Sequence, residues 1–278
     1  MSTKARIERL RSRLQEEGLE GILISSYENR RYLSGFTGSA GYLLISSSDA
    51  ILATDFRYTE QAARQSPDYT IERIRPGPWL SDLVGNVGLR RLGFESEDVT
   101  VATYSRFKKS FEDALGTTLE LVSTSEIVQK LRSVKDKEEL VLLTRAISIA
   151  DQAMDQVAPT MEPGMTESMV AWEIEKSMRE LGAEAASFDV IVGTGPNGAL
   201  PHHRADHSVI KNGDSVVIDM GALYMGYCSD LTRTFVIGDP DDTFKRIYDV
   251  VLEAQLTAEE KVTDSFTGGE ADAIATKI

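Results

Sequence analysis

A chain of 278 residues, 41% hydrophobic and 27% charged, can build one large domain or two ordinary ones and has the composition of a globular protein. Its 30 Lys and Arg against 44 Asp and Glu leave a net charge of -14, which repels phosphate backbones and argues against a nucleic-acid partner. No apolar run approaches the roughly 20 residues of a membrane span, the N-terminus reads as a polar helix and not as a signal peptide, and the single cysteine, Cys228, allows no intrachain disulfide; a cytoplasmic protein without membrane contact is expected.

Ile7, Leu10 and Leu14 at helical spacing predict a helix over 4–17 that Gly18 ends, and 21–25 is a short buried-strand run. A short helix over 27–33 follows, then a strand pair at 42–45 and 51–54 around a turn at 46–49, then a helix over 56–65. Strands near 69–74 and 91–94 and a helix near 104–115 complete an α/β layer domain, placed at residues 1–123. The polar stretch 124–137, with a short helical pattern, is read as a linker, and 138–278 as a second, differently built domain. There, Asp136 and Glu139 have helix-start spacing, and Leu140, Leu143, Ile147, Ala150 and Met154 mark an apolar stripe on a long helix. A second helix follows Pro163-Gly164 and spans 166–181.

Gly193, Gly195 and Gly198 after a strand match a dinucleotide-binding spacing on paper. That fingerprint needs a helix opening at its last glycine, and Pro201, the polar run HHRADH and Gly213 argue against any helix over 199–214. No nucleotide cofactor is therefore expected.

The stretch DSVVIDMGALYMGYCSDLTRTFVIG, 214–238, reads as a hairpin. Period-two alternation puts Val217, Asp219, Asp230, Thr232 and Thr234 on one face and Val216, Ile218, Leu231, Arg233 and Phe235 on the other. A turn centred between Tyr224 and Met225 would set Asp219 directly opposite Asp230, their Cβ atoms roughly 5 Å apart. Opposed like charges call for a proton, a basic side chain or a cation, and bridging carboxylates are a common way to hold two metal ions that activate water. The competing reading is a solvated hairpin with two surface acids. Cys228 reads as a small strand residue, since no histidine lies near it in sequence.

All three histidines, His202, His203 and His207, lie in one short loop before the hairpin. His207 and His203 are read as solvated. His202 follows Leu200-Pro201, where an imidazole could reach the carboxylate face as a donor to a substrate carbonyl or developing oxyanion.

The segments SFDVIVGTGPNGALPHH and GDSVVIDMGALYMGYCSDLTRTF resemble the aminopeptidase P and prolidase family of metallopeptidases, and LISSYENRRYLSGFTGSAGYLLIS with ATDFRY resembles that family's creatinase-type N-terminal domain. The resemblance runs over nearly the whole chain. It implies an α/β (α+β) architecture, a creatinase-type domain followed by a pita-bread catalytic domain. It also implies hydrolysis of the Xaa-Pro peptide bond by a metal-bound hydroxide. By position, Asp219 and Asp230 match metal ligands of a site for two divalent ions, Mn²⁺ or else Co²⁺, Zn²⁺ or Fe²⁺. His202 matches the catalytic, substrate-contacting histidine, and Thr232 a residue that orients a ligand carboxylate. A peptide with proline at its second position would be the substrate, and a homodimer the assembly.

The family's remaining ligands, a histidine and two glutamates, lie downstream of these motifs, and no histidine follows His207. On the resemblance alone the pita-bread domain is incomplete, the chain a truncated copy of a longer enzyme, and its activity weak or absent. The alternatives are a non-catalytic relative that binds peptides or proteins on the same fold, and a metal-free hydrolase of the creatinase type. Kept acids at 219 and 230 speak against both.

Overall fold

In the computed structural model, which describes residues 2–116 and 119–278, the chain divides between Leu140 and Val141 into two units. The first contains α1 (Thr3–Glu16), β1 (Gly21–Ile24), α2 (Tyr27–Ser34), β2 (Tyr42–Ser46), β3 (Ala50–Thr54), α3 (Thr59–Gln65) and β4 (Thr70–Arg73). After these come α4 (Trp79–Val87), β5 (Arg91–Glu95), α5 (Val101–Leu115), β6 (Glu120–Thr124) and α6 (Ile127–Ser133). The strands form one mixed sheet in the order β4-β3-β2-β1-β5-β6, with β1 antiparallel to β2 and parallel to β5.

The central strand β1 is apolar throughout because both faces of the sheet are covered. Ile22 and Ile24 pack with Ile7, Leu10 and Leu14 of α1 and with Leu131 of α6, whereas Leu23 packs with Leu80 and Val84 of α4 and Phe107 and Phe111 of α5. Glu95 and Arg30 are among the charged side chains buried in this unit. The Glu95 carboxylate, at the end of β5, accepts from the backbone N–H groups of Ser25 (2.6 Å) and Ser26 (2.8 Å) and so caps α2, whose own N-cap serine makes no side-chain cap. Arg30 donates to the carbonyls of Ser25, Gly38 and Gly41, fastening the loop between α2 and β2.

Among the elements of the second unit are α7 (Lys137–Val157), α8 (Glu167–Glu180), β7 (Ala185–Ala186) and β8 (Ile191–Thr194). They are followed by a 3₁₀ turn (Gly195–Ala199), β9 (Ser215–Met220), β10 (Ala222–Tyr224), β11 (Tyr227–Cys228), β12 (Leu231–Val236), α9 (Asp242–Lys261) and α10 (Gly268–Ala275). No helix forms over 200–214, so the glycine spacing lacks the context a dinucleotide would need. The expected stripe on α7 is rotated. Leu140 and Ile147 are exposed, and the buried face is Ala146, Ile149, Ala150, Ala153, Met154 and Val157.

That face packs with Val170, Ile174 and Met178 of α8 against Val216, Ile218 and Met220, the inner side of β9. Alternation therefore turns Val217 and Asp219 away from the helices. β9 lies between β8 and β12 in one antiparallel sheet, while β10 lies between β7 and β11 in another. The long hairpin of 215–236 thus passes from one sheet to the other at Gly221 and Ser229.

The register differs from the one expected. The turn is Met225-Gly226, both at positive φ (45° and 81°), as a two-residue hairpin turn of the primed type requires. Asp219 consequently faces Thr232, and Asp230 follows the same register to lie beside Gly221. The two acids are diagonal neighbours, not opposed ones, roughly 7 Å apart between Cα positions by sheet geometry. The offset is two residues, and an even offset keeps every side chain on its expected face. At the crossing, Ser187 binds both strands: its N–H donates to Gly221 O (2.8 Å) and its hydroxyl to Ser229 O (2.9 Å). A Cβ on Gly221 would collide with Ser229 O and the Ser187 hydroxyl.

Two substitutions test this account of the hairpin with opposite signs. Met225→Asn, which accepts the left-handed region more readily, is expected to raise stability by about 0.5 kcal/mol. Gly221→Ala is expected to lower it by roughly 2 kcal/mol through overpacking. Urea midpoints compare them with the parent, and unchanged midpoints would mean that turn and crossing do not set the hairpin.

Candidate functional site

The outer face of the β9–β12 pair brings Asp219 and Thr232 together. Their cross-strand pairing lets the Thr232 hydroxyl donate to Asp219 Oδ1 at 2.8 Å, leaving Oδ2 without that constraint. Asp219 is half-buried and Asp230 exposed, at the point where β12 has not yet begun. The Thr232 hydroxyl thus bonds Asp219 across the strand pair, and not Asp230, two residues before it on its own face. Two carboxylates on one face, one steadied by a hydroxyl, form a hard-oxygen donor set that fits a divalent cation as part of its ligand shell.

The loop after β8 holds the histidines. His202 and His207 are exposed, and no hydrogen bond among the described residues joins His202 to Asp219 or Asp230. His203 departs from the expectation of a solvated ring. Its side chain is only 9% exposed and its Nε2 lies 2.6 Å from Oε2 of Glu167, which is completely buried. A carboxylate only accepts, so Nε2 carries the proton of this bond.

Glu167 sits in the first turn of α8, after the N-cap Thr166. Oε1 accepts from Thr194 N (2.8 Å) and Asn197 Nδ2 (2.9 Å), and Oε2 accepts from His203 and from Asp206 N (3.2 Å). Glu167, His203 and Asp206 bring potential ligand atoms within 4.8 Å of one another. Four donors nevertheless use the acceptor capacity of Glu167, so the cluster is a hydrogen-bonded hub and not an open cation site. Sequence reasoning missed Glu167 because an acid in a first helical turn is ordinary, stabilised by the helix dipole wherever it lies.

The comparisons with known proteins agree over both units. The family model described as the Creatinase/Prolidase N-terminal domain matches residues 6–134, and that of metallopeptidase family M24 matches 141–278. The chain is 44% identical over 273 residues to the uncharacterized peptidase YqhT of Bacillus subtilis, covering 97% of this chain and 75% of that protein. It is 31% identical over 277 residues to a Xaa-Pro dipeptidase of Pyrococcus furiosus, covering 99% and 77%. Among solved structures, a Xaa-Pro dipeptidase from Bacillus anthracis superposes with a TM-score of 0.93 at 42% identity, covering 99% of this chain and 77% of that one.

Asp206 yields a pH-dependent expectation. Hydrogen bonds from the Ser208 side chain and from its backbone N–H (2.6 Å) hold its carboxyl below the usual carboxylate range. A group whose pKa is depressed on folding stabilises above its unfolded pKa and loses that contribution as pH falls through the folded value. Asp206→Asn should therefore lower the urea midpoint at pH 7, and the gap to the parent should close as the pH falls below about 4. A gap of constant size across that range would show that the charge of Asp206 contributes nothing.

Proposed function

The chain belongs to metallopeptidase family M24, and from that membership we propose that it hydrolyses the peptide bond preceding proline, with Asp219 and Asp230 as ligands of a divalent-metal site. The observation that carries this reading is the shared outer face of the hairpin, where both acids stand with Thr232 bonded to Asp219. When bound, a divalent ion supplies Lewis acidity and lowers the pKa of water. Two carboxylates are fewer donors than such an ion takes, so water or further protein groups complete the shell. Manganese is the ion we favour, since an all-oxygen pair of ligands suits a hard cation.

The chain's own residues do the rest. Thr232 donates to one oxygen of Asp219 and so fixes the direction in which the other points. His202, on the exposed loop, is assigned as the donor to the substrate carbonyl, where a hydrogen bond that strengthens as charge develops on oxygen accelerates the reaction. A bond to proline is a tertiary amide without an N–H, so recognition must come from the ring's shape and the flanking groups. The region 1–123 is assigned as the creatinase-type domain and the region from 138 onward as the catalytic one. The Xaa-Pro dipeptidases among the relatives support the substrate class. We extend the reading to a cytoplasmic homodimer.

Metal binding tests the assignment without recourse to turnover. Asp219→Asn and Asp230→Asn should each weaken Mn²⁺ binding in titration calorimetry by tenfold or more, and Thr232→Val by about tenfold. Unchanged affinity in both Asn variants would remove these acids from the site. His202→Ala should leave Mn²⁺ affinity intact while lowering kcat on Xaa-Pro dipeptides by about 100-fold. A loss of metal in that variant would instead make His202 a ligand.

A further inference from the structure

His202 stands at the apex of a turn whose two ends lead back to one buried carboxylate. The N–H of His203 donates to Leu200 O (3.1 Å), closing a four-residue turn with Pro201 and His202 at its centre, and proline suits the first central position. At the entrance, Leu200 N donates to Asn197 O (3.0 Å), and the Asn197 side chain donates to Glu167 Oε1. At the exit, the ring of His203 donates to Glu167 Oε2, and three residues later Asp206 N does the same. From 206 to 210 the segment is also tied to the chain before α8 and its first turn, by Ser168 N to Asp206 O (2.9 Å), Ile210 N to Met165 O (2.9 Å) and the bridge between Val209 and Thr166, whereas 200–205 lies outside any helix or strand, and loops of that kind ordinarily open easily.

Glu167 itself cannot follow the loop. It is anchored at the start of α8, whose Val170, Ile174 and Met178 are fully buried against β9, the strand that carries Asp219. Moving the loop would strip donors from a buried charge, and hydrogen bonds to charged groups are among the strongest in a protein. With its acceptor sites filled, the carboxylate is also closed to substrate and cation.

We propose that Glu167 is the positioning residue of this site: through His203 and Asn197 it holds the turn from which His202 meets the substrate. The proposal rests on the reading of His202 as the substrate-facing donor. Glu167 touches no reacting atom, and its effect is transmitted by backbone geometry.

The test uses the full chain with added Mn²⁺ and two readouts. In hydrogen exchange, Glu167→Gln places an amide NH₂ against two of four donors, and His203→Ala removes one donor. Both should lose protection over 197–206 by about tenfold, with β9 and β12 unchanged. On an Xaa-Pro dipeptide, both should lower kcat by about tenfold with little change in KM. His203→Gln, whose Nε2 can still donate to Glu167, should return to within roughly two-fold of the parent. In a His202→Ala background the further fall in kcat should vanish, because the two positions act through one another.

Unaltered exchange over 197–206 would overturn the proposal. So would equal loss of protection throughout the second unit, or an undiminished fall in kcat without His202. If the parent chain turns over no Xaa-Pro peptide with Mn²⁺, the functional reading fails, and the exchange data still decide whether Glu167 holds the turn.

Discussion

The two-residue turn at Met225-Gly226 is the constraint on which the outer face of the second unit depends. Its backbone twist matches that of the strands it joins, so it fixes which residues of 215–220 meet which residues of 231–236. Pairing in steps of two leaves little freedom. A slip of one residue would drive Asp219 into the space that Ile218 and Met220 fill against α7 and α8, and would bring those apolar side chains out to water. Burial of an unpaired carboxylate there would cost several kcal/mol, far more than any strain at Met225. Register and hydrophobic pattern thus enforce the same arrangement.

The three residues of the proposed site are held by different means, graded by how far each lies from regular structure. Asp219 is set by the strand and trimmed by the Thr232 hydroxyl. Asp230 stands at the crossing between two sheets, where Ser187 binds both strands and Gly221 leaves room for Ser229 O. His202 belongs to a turn outside any strand, and hydrogen bonds from Asn197 and His203 to one buried carboxylate hold its two ends. The first unit uses the same device, where Glu95 and Arg30 fasten α2 and the loop after it. In both units a buried charge supplies to irregular backbone the partners that buried N–H and C=O groups must find.

How much of this could be read from the sequence follows from how local each signal is. The apolar period of α1 and the runs of β1, β2 and β3 were legible because each carries its own pattern. α4 was not, since it is short, follows Pro78 and contains Gly85. β6, an edge strand of mixed burial, offered no apolar run. The turn was misplaced by one position because Gly226 announces positive φ and Met225 does not. The faces survived because the resulting offset is even. The exposure of Leu140 and Ile147 on α7, and the burial of Glu167 and His203, depend on where distant elements come to rest, and no window of sequence contains that information.

Two acids on one face would be a poor choice if that face had to stabilise the fold. It does not. Val216, Ile218 and Met220 lie on the opposite side of β9 and are fully buried, each worth about 2 kcal/mol of apolar burial. Repulsion between diagonal, partly solvated carboxylates is on the order of 1 kcal/mol, the scale of cross-strand charge pairs. The inner face therefore carries the stability of the sheet, and the outer face is left free to hold charge that folding alone would not select. A cation bound there would act on a scaffold already folded, so its loss should change the site without unfolding the strands that present it.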